Sequence, residues 1–325
     1  MIRSTYRTFG SPADVIELEE HIPHALTDGE IRVRMLAAPI NPADINFILG
    51  NYGIRPDLPC TPGMEGCGEV LESRSDDFSV GDKVIFVRRV GTWTNEVVCP
   101  GSAALKIPAE TPVEQAAMLK INPLTAWAML TQFRELPENS WIIQNAANSG
   151  VGVCAIQIAK LLGLRTINLV RREEPIKELV DLGANLVLLD NAESIEHVKK
   201  VTADQPPALA LNAVGGDSAL RLMDALAPKG THVTYGAMSM RSLKVPNKFL
   251  IFKRIELHGY WSTEWIKEQE AEKISTVYKQ LAEWVIDGKL TQLVDSRFPL
   301  QDIRTALGRA QEGKRHGKVL LSLEK

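Results

Sequence analysis

The rhythm of apolar and polar positions changes twice along the chain. Up to Pro112 the apolar residues fall in short alternating segments: Glu30–Leu36 (EIRVRML), Gly68–Ser73 (GEVLES) and Asp82–Val87 (DKVIFV). Pro39, Pro42, Pro56, Pro59, Pro62, Gly63, Gly66, Gly81 and Gly91 punctuate them. A period of two with frequent breakers predicts a small, irregular, β-rich domain. After Pro112 the pattern predicts a helix over Gln115–Gln132, bent or interrupted at Pro123. Strands are then predicted at Trp141–Asn145, Thr166–Val170, Leu186–Leu189, Ala208–Ala213, Thr231–Tyr235 and Glu256–Tyr260, with helices at Gly150–Leu162, Pro175–Leu182 and Ser218–Leu226. Such alternation predicts an α/β unit with a doubly wound parallel sheet. The tail returns to the first style, with helices at Glu272–Asp287 and Gln301–Glu312 and short strands near Val294–Phe298 and Lys318–Leu323. The α/β unit, 119–256, is therefore expected to be inserted between two pieces of a β-rich domain, 1–118 and 257–325.

The chain has 325 residues, enough for about two domains. Its 37 basic and 40 acidic residues give a formal charge of −3, without the basic excess that nucleic-acid binding requires. No apolar run approaches the ~18 residues of a membrane span. The N-terminus, MIRSTYRTFGSPADVIEL, lacks the apolar core of a signal peptide. A cytoplasmic location is expected, with the mitochondrial matrix after processing as the alternative. Cys60, Cys67, Cys99 and Cys154 form no C-x-x-C pair and read as small buried apolar residues.

One segment carries cofactor chemistry. In Trp141-Ile-Ile-Gln-Asn-Ala-Ala-Asn-Ser-Gly-Val-Gly-Val-Cys-Ala-Ile-Gln157 an apolar strand runs through a turn of small residues into a helix. The three positions of a G-x-G-x-x-G fingerprint read Ala147, Ser149 and Gly152, with an extra Gly150. Small residues let the backbone approach a pyrophosphate held on the helix N-terminus. About 20 residues past such a turn, NAD-binding units place a carboxylate for the ribose 2′-hydroxyl. Arg171 and Arg172 stand there instead, and Glu173 and Glu174 come too late. Two guanidiniums suit a 2′-phosphate, so NADPH is expected rather than NADH.

A β-rich domain split around a Rossmann unit resembles the medium-chain dehydrogenase/reductase superfamily. Stretches spanning nearly the whole chain look like the 2-enoyl thioester reductases of mitochondrial-type fatty acid synthesis. They include Asn41-Pro-Ala-Asp-Ile-Asn46, Gly50-Asn-Tyr-Gly53, Pro62-Gly-Met-Glu-Gly66, Gly91-Thr-Trp93, Ile121-Asn-Pro123, Gln144-Asn-Ala-Ala-Asn-Ser-Gly-Val-Gly152, Leu211-Asn-Ala-Val-Gly-Gly216, Val233-Thr-Tyr-Gly-Ala-Met238 and Gly259-Tyr-Trp-Ser262. The resemblance implies a GroES-like catalytic domain around the Rossmann unit and a homodimer joined through the cofactor domains, with Leu243–Phe252 as a plausible edge. Zinc-bearing relatives place a Cys near Asn41 and a His where Met64 stands. Asn and Met are poor ligands for Zn²⁺, so no metal is expected.

Reducing an activated double bond needs a positioned nicotinamide, a donor for the developing enolate oxygen and a proton source for the α-carbon. The resemblance marks Tyr52 as the catalytic tyrosine, on a loop between two glycines. It places Asn122 and Trp261 beside the nicotinamide. It sets the cofactor against Asn148, Ser149, Gly150, Val151, Gly152, Tyr235, Gly236, Ala237, Met238, Tyr260, Ser262 and Lys318. Without it, Tyr52 is a packed ring, Asn122 a cap, Trp261 core filler and Lys318 a surface lysine. Glu65 and Asp44 read as structural. Arg88–Arg89 and Lys199–Lys200 read as solvated charge, or as a landing for an acidic carrier protein or the phosphates of coenzyme A. The expected activity is NADPH-dependent reduction of trans-2-enoyl-CoA or enoyl-carrier-protein thioesters. The runner-up is a quinone or other activated-alkene reductase of the same fold. A nucleotide-binding protein with a dead site is the third reading.

Overall fold

In the computed structural model, which describes residues 1–323, the alternating segments form strands. In chain order these are β1 (Ile2–Tyr6), β2 (Ile16–Glu20), β3 (Glu30–Pro39), β4 (Cys67–Ser73), β5 (Lys83–Phe86), β6 (Glu96–Pro100), β7 (Ala104–Lys106), β8 (Trp141–Gln144), β9 (Arg165–Val170), β10 (Leu186–Leu189), β11 (Leu209–Asn212), β12 (Thr231–Thr234), β13 (Glu256–Gly259), β14 (Val294–Pro299) and β15 (Lys318–Ser322). The chain divides into two units. One comprises Met1–Ile121 and the chain from Gln269 onward; the other is Asn122–Glu268.

The split unit is organised on β3. Its seven-stranded sheet runs β14-β15-β3-β4-β5-β7, with β6 also paired to β3. Ile31, Val33 and Met35 alternate into the core, where they join Phe86, Trp93, Leu307, Val319 and Leu321. The intervening Arg32 and Arg34 face outward, opposite Glu72 and Glu69 of β4, and pair with them at 3.2 and 3.0 Å. The pattern thus fixes which face is buried, while these exposed ion pairs add little stability.

The continuous unit is a parallel sheet in the order β10-β9-β8-β11-β12-β13. Numbered within the unit this is 3-2-1-4-5-6, the Rossmann order, and its topological switch lies between β8 and β11. Ile142, Ile143, Ile167, Leu169, Leu209, Ala210 and Leu211 are fully buried, as strands covered on both faces require.

Several boundaries differ from expectation. β13 pairs in parallel with β12, so the second joint falls at 268/269 rather than at 257. The long helix predicted at Gln115–Gln132 is two helices, Val113–Ala117 and Asn122–Thr131. The interruption expected there falls just before Pro123, which stands in the first turn of the second helix, where its missing N–H is not needed. Leu243–Phe252 contains the helix Asn247–Ile251, and the outer strand of the sheet is β13. The crossover helix Ala192–Val201, capped by Asn191 onto the Ser194 amide at 2.8 Å, is an additional element. Among the described residues no helix is long and apolar enough to cross a membrane.

Candidate cofactor and active site

At the end of β8 the backbone enters a strained turn. Ala146 has φ +47°, a left-handed conformation that costs a residue with a Cβ roughly 1–2 kcal/mol. The turn is tied down by Ala147 N to Leu169 O at 3.2 Å and Ser149 N to Ala146 O at 2.8 Å. Ser149 then caps the helix Gly150–Leu161, its Oγ accepting from the Gly152 amide at 3.2 Å. The Gly150 and Val151 amides have no carbonyl of their own helix to bond, because a helix start leaves its first N–H groups without partners. The glycines are sterically required. A Cβ on Gly152 would lie 2.5 Å from the Ala147 carbonyl oxygen, and one on Gly150 would lie 2.5 Å from the Asn122 amide nitrogen.

Several predicted residues gather at this helix start. Asn122 begins its own helix and is buried against Gly150. Burial drives the Tyr235 phenol well above the usual range, opposed by the adjacent Ser149 hydroxyl. Gly236 closes on the next strand: a Cβ there would be 3.0 Å from the Ala213 carbonyl oxygen, and the Met238 amide bonds that same oxygen at 2.9 Å. Ala237 and Met238 are both exposed. Tyr260 is buried beside Thr125, one helical turn from Asn122, and its phenol is likewise pushed up by burial. Trp261 precedes the helix Ser262–Glu268 and its carbonyl takes the Trp265 amide at 3.0 Å. Asn148 is exposed in the turn. Arg171 and Arg172 follow β9, the strand beside β8; Arg171 is exposed, and Arg172 lies 3.9 Å from Glu174.

These features fit a dinucleotide. Uncapped amides and the positive helix end suit a pyrophosphate, small residues clear its approach, and two guanidiniums beyond the neighbouring strand suit a terminal phosphate. A buried amide network braces this end of the sheet. Asn145 Nδ2 donates to Asn212 Oδ1 at 2.9 Å and to Ser218 Oγ at 2.8 Å. Asn145 Oδ1 takes the Ala213 amide at 2.8 Å, and Asn212 Oδ1 the Gly215 amide at 3.0 Å. Ser218 in turn donates to Asp190, which also holds Arg221 at 2.6 Å. Asn145, Asn212 and Ser218 were not among the expected residues. Their signal is legible afterwards: polar residues close otherwise apolar strands in Trp141-Ile-Ile-Gln-Asn and Leu209-Ala-Leu-Asn.

Tyr52 lies in the split unit. The helix Pro42–Leu49 ends at Gly50, whose φ of +72° forms a left-handed cap; the Asn51 amide bonds Asn46 O at 2.9 Å. The chain then turns back, and the half-buried Tyr52 ring stacks on Phe47 at 4.4 Å between centroids. At the other end of the helix, Asp44 accepts the Asn41 amide at 2.8 Å and the Met64 amide at 2.9 Å. Burial, with Glu65 nearby, raises the Asp44 carboxyl to about 7. Glu65 takes the Asn41 side chain and the Ile121 amide, each at 2.9 Å, and is also raised by burial. Lys120, lowered to about 8 by burial, donates to Met64 O at 2.7 Å.

Lys318, expected on the cofactor, is buried here, its ammonium on Asn41 Oδ1. Asn41 and Met64, where zinc-bearing relatives place ligands, are thus engaged with carboxylates. Among the described residues no cluster of His, Cys, Asp and Glu is arranged to hold a metal ion. Lys199 is paired to Asp224 at 2.6 Å and Glu196 at 2.9 Å, which leaves Lys200 the exposed member of that pair.

Comparison with known proteins matches this architecture. Residues 27–109 match the alcohol dehydrogenase GroES-like domain, and residues 150–281 the family described as zinc-binding dehydrogenase. The mitochondrial enoyl-[acyl-carrier-protein] reductase of Rattus norvegicus is 42% identical over 93% of this chain and 83% of its own. That of Homo sapiens is 40% identical over 98% and 87%. Among solved structures, the Etr1p/NADP/crotonyl-CoA complex superposes with a TM-score of 0.88 at 28% identity, covering 99% of both chains. A Bacillus thuringiensis protein named as an NADPH:quinone reductase gives 0.92 at 29% identity, covering 99% and 98%. The chain belongs to the medium-chain dehydrogenase/reductase superfamily and, within it, to the family of the mitochondrial enoyl-[acyl-carrier-protein] reductases.

Proposed function

We propose that the protein reduces the carbon–carbon double bond of trans-2-enoyl thioesters, carried on coenzyme A or an acyl carrier protein, to acyl thioesters with NADPH, as a step of fatty acid synthesis. The finding that carries this reading is the 40–42% identity to enoyl-carrier-protein reductases, against 29% to the quinone reductase. That structure's TM-score of 0.92 keeps activated-alkene or quinone reduction as the second reading.

NADPH, when bound, supplies a hydride for the β-carbon. The remaining chemistry falls to the chain. Negative charge builds on the thioester oxygen, and the Tyr52 phenol is the proposed donor, either of a hydrogen bond to that oxygen or of a proton to the α-carbon. Ser149, Gly150, Val151 and Gly152 are proposed to hold the pyrophosphate, and Arg171 with Arg172 the 2′-phosphate. Asn122, Trp261, Tyr235, Gly236, Ala237, Met238, Tyr260, Ser262 and Asn148 complete the proposed cofactor surface. A cofactor contact by Lys318 would have to be shared with its bond to Asn41, which makes it the weakest member of the set.

A homodimer is proposed through the continuous unit. Every residue of β13 is exposed in the single chain, and Met240 and Phe252 are 88% and 82% exposed. An open strand edge beside exposed apolar side chains is a surface proteins normally cover. The related Candida tropicalis protein is a heterodimer. A monomer in sedimentation analysis at micromolar concentration would overturn the dimer. The relatives' names, which read mitochondrial, support a mitochondrial location over the cytoplasm.

The decisive assay mixes the protein with NADPH and either trans-2-enoyl-CoA esters or a quinone, following nicotinamide absorbance. Oxidation with the enoyl esters is expected; oxidation with the quinone alone would replace the reading. Tyr52→Phe should lower kcat by roughly 100-fold or more while NADPH still binds, and an unchanged kcat would remove Tyr52 from the chemistry.

A further inference from the structure

Tyr52 sits on a short loop, yet its ring is not loosely held. The hydroxyl of a tyrosine lies at the far end of the ring, so a small tilt of the ring moves that oxygen by an ångström or more. The ring rests on Phe47, one turn back from the left-handed cap at Gly50. Its ring is stacked on Tyr52 with 25° between planes, and its side chain is 4% exposed. The helix delivers Phe47 rigidly, because Asp44 closes one end and the Gly50 cap the other. The Phe47 ring is itself loaded. The Arg89 guanidinium stands 5.3 Å over its centroid, and Arg89 Nη1 donates to Cys60 Sγ at 3.1 Å. Cys60 is anchored to Tyr6 of β1 by two backbone bonds of 3.0 Å. A continuous set of contacts thus runs from the sheet edge through Cys60 and Arg89 to Phe47 and Tyr52. The loop has a second tether in Arg55, which donates to Gly50 O at 3.2 Å and lies 5.4 Å over the Phe9 ring. That same ring would meet any Cβ at Gly50 at 3.0 Å, so a side chain there would press on the Phe9 ring.

We propose that Phe47, loaded by Arg89, is a positioning residue that sets the aim of the Tyr52 hydroxyl. The inference rests on the reading of Tyr52 as the group that serves the substrate. Arg89, which sequence alone marks as surface charge or a carrier landing, is assigned here to alignment.

The test is a double-mutant cycle in kcat with crotonyl-CoA. Phe47→Leu is expected to lower kcat about 10- to 100-fold, the range for an ångström-scale misplacement, with KM for NADPH within about twofold. In the Tyr52→Phe background the same change should cost less than about twofold, because there is no hydroxyl left to aim. Phe47→Tyr, which keeps the stacking face, should restore most of kcat. Equal losses in both backgrounds, or no loss in a folded Phe47→Leu, would overturn the proposal. If Phe47→Leu fails to fold, Arg89→Ala at its exposed position carries the same cycle. A loss confined to the Tyr52 background supports the role, and equal effects refute it. If Tyr52→Phe alone keeps full kcat, the catalytic reading of Tyr52 fails first and the positioning role falls with it.

Discussion

The two units solve the same problem, polar groups inside a core, with opposite chemistry. The split unit buries formal charge: Asp44, Glu65, Lys120 and Lys318 sit at 9% exposure or less around Asn41. The continuous unit buries neutral amides: Gln144, Asn145, Asn168 and Asn212, all fully inaccessible. Charge is expensive to desolvate and is tolerated only when every partner is present. Amides carry both donors and acceptors, so they can brace loop ends without a counter-ion. The difference teaches where each unit is brittle: the first depends on charge balance, the second on hydrogen-bond geometry.

The sharpest way to break the charged network is to remove one anion. Glu65→Leu strands Lys120 and Lys318 and should cost about 3–5 kcal/mol of stability in urea denaturation. Adding Lys318→Met should return part of that loss. A cost below about 1 kcal/mol for Glu65→Leu alone would mean that the network is wet.

The continuous unit also buries an imidazole. His232 is fully buried with both ring nitrogens lacking partners, and burial lowers its pKa to about 4. The unfolded chain, near 6.5, therefore takes up a proton that the folded chain refuses. Stability is whole above about pH 6.5 and falls as pH drops toward 4, by up to about 3 kcal/mol. Denaturation midpoints at pH 7 and pH 5, for the protein and for His232→Leu, test this; identical pH slopes would refute it. Next in size, Asn145→Ala should cost about 1–3 kcal/mol, since it leaves the Ala213 amide without its acceptor. A full loss of NADPH binding with little change in stability would instead mean that Asn145 touches the ligand. Smallest is Arg171→Ala with Arg172→Ala, expected to raise KM for NADPH about tenfold and leave NADH unchanged, the effect of losing charge-assisted bonds to one phosphate. Equal changes with both cofactors would sink the phosphate assignment.

Much of this was legible in the primary structure, because each signal was local. The strand–turn–helix around Ser149 needs only small residues at set spacings, and the parallel sheet follows from apolar runs that end where helices begin. The Asn-Tyr between Gly50 and Gly53 marks an exposed-looking loop, but the stack on Phe47 depends on the chain reversing at Gly50. The burial of Lys318 was not readable: it requires β15 to pair with β3, and the partners Lys318 and Asn41 are 277 positions apart. Nor does the apolar run of Leu243–Phe252 announce its helix: Pro246 starts Asn247–Ile251, and the open sheet edge goes to the unremarkable Glu-Leu-His-Gly of β13.

The pairing of β15 with β3 has a consequence for synthesis. The continuous unit is complete once residue 268 has emerged from the ribosome, so its sheet can close while translation continues. The split unit cannot: β3 waits with one side open, and Asn41 waits for the Lys318 ammonium, until β15 has been made. Truncation a few residues before β15 therefore leaves a finished nucleotide-binding unit attached to an unfinished partner. A prematurely terminated product should still fold in one half and expose apolar β3 in the other, the kind of surface chaperones retain.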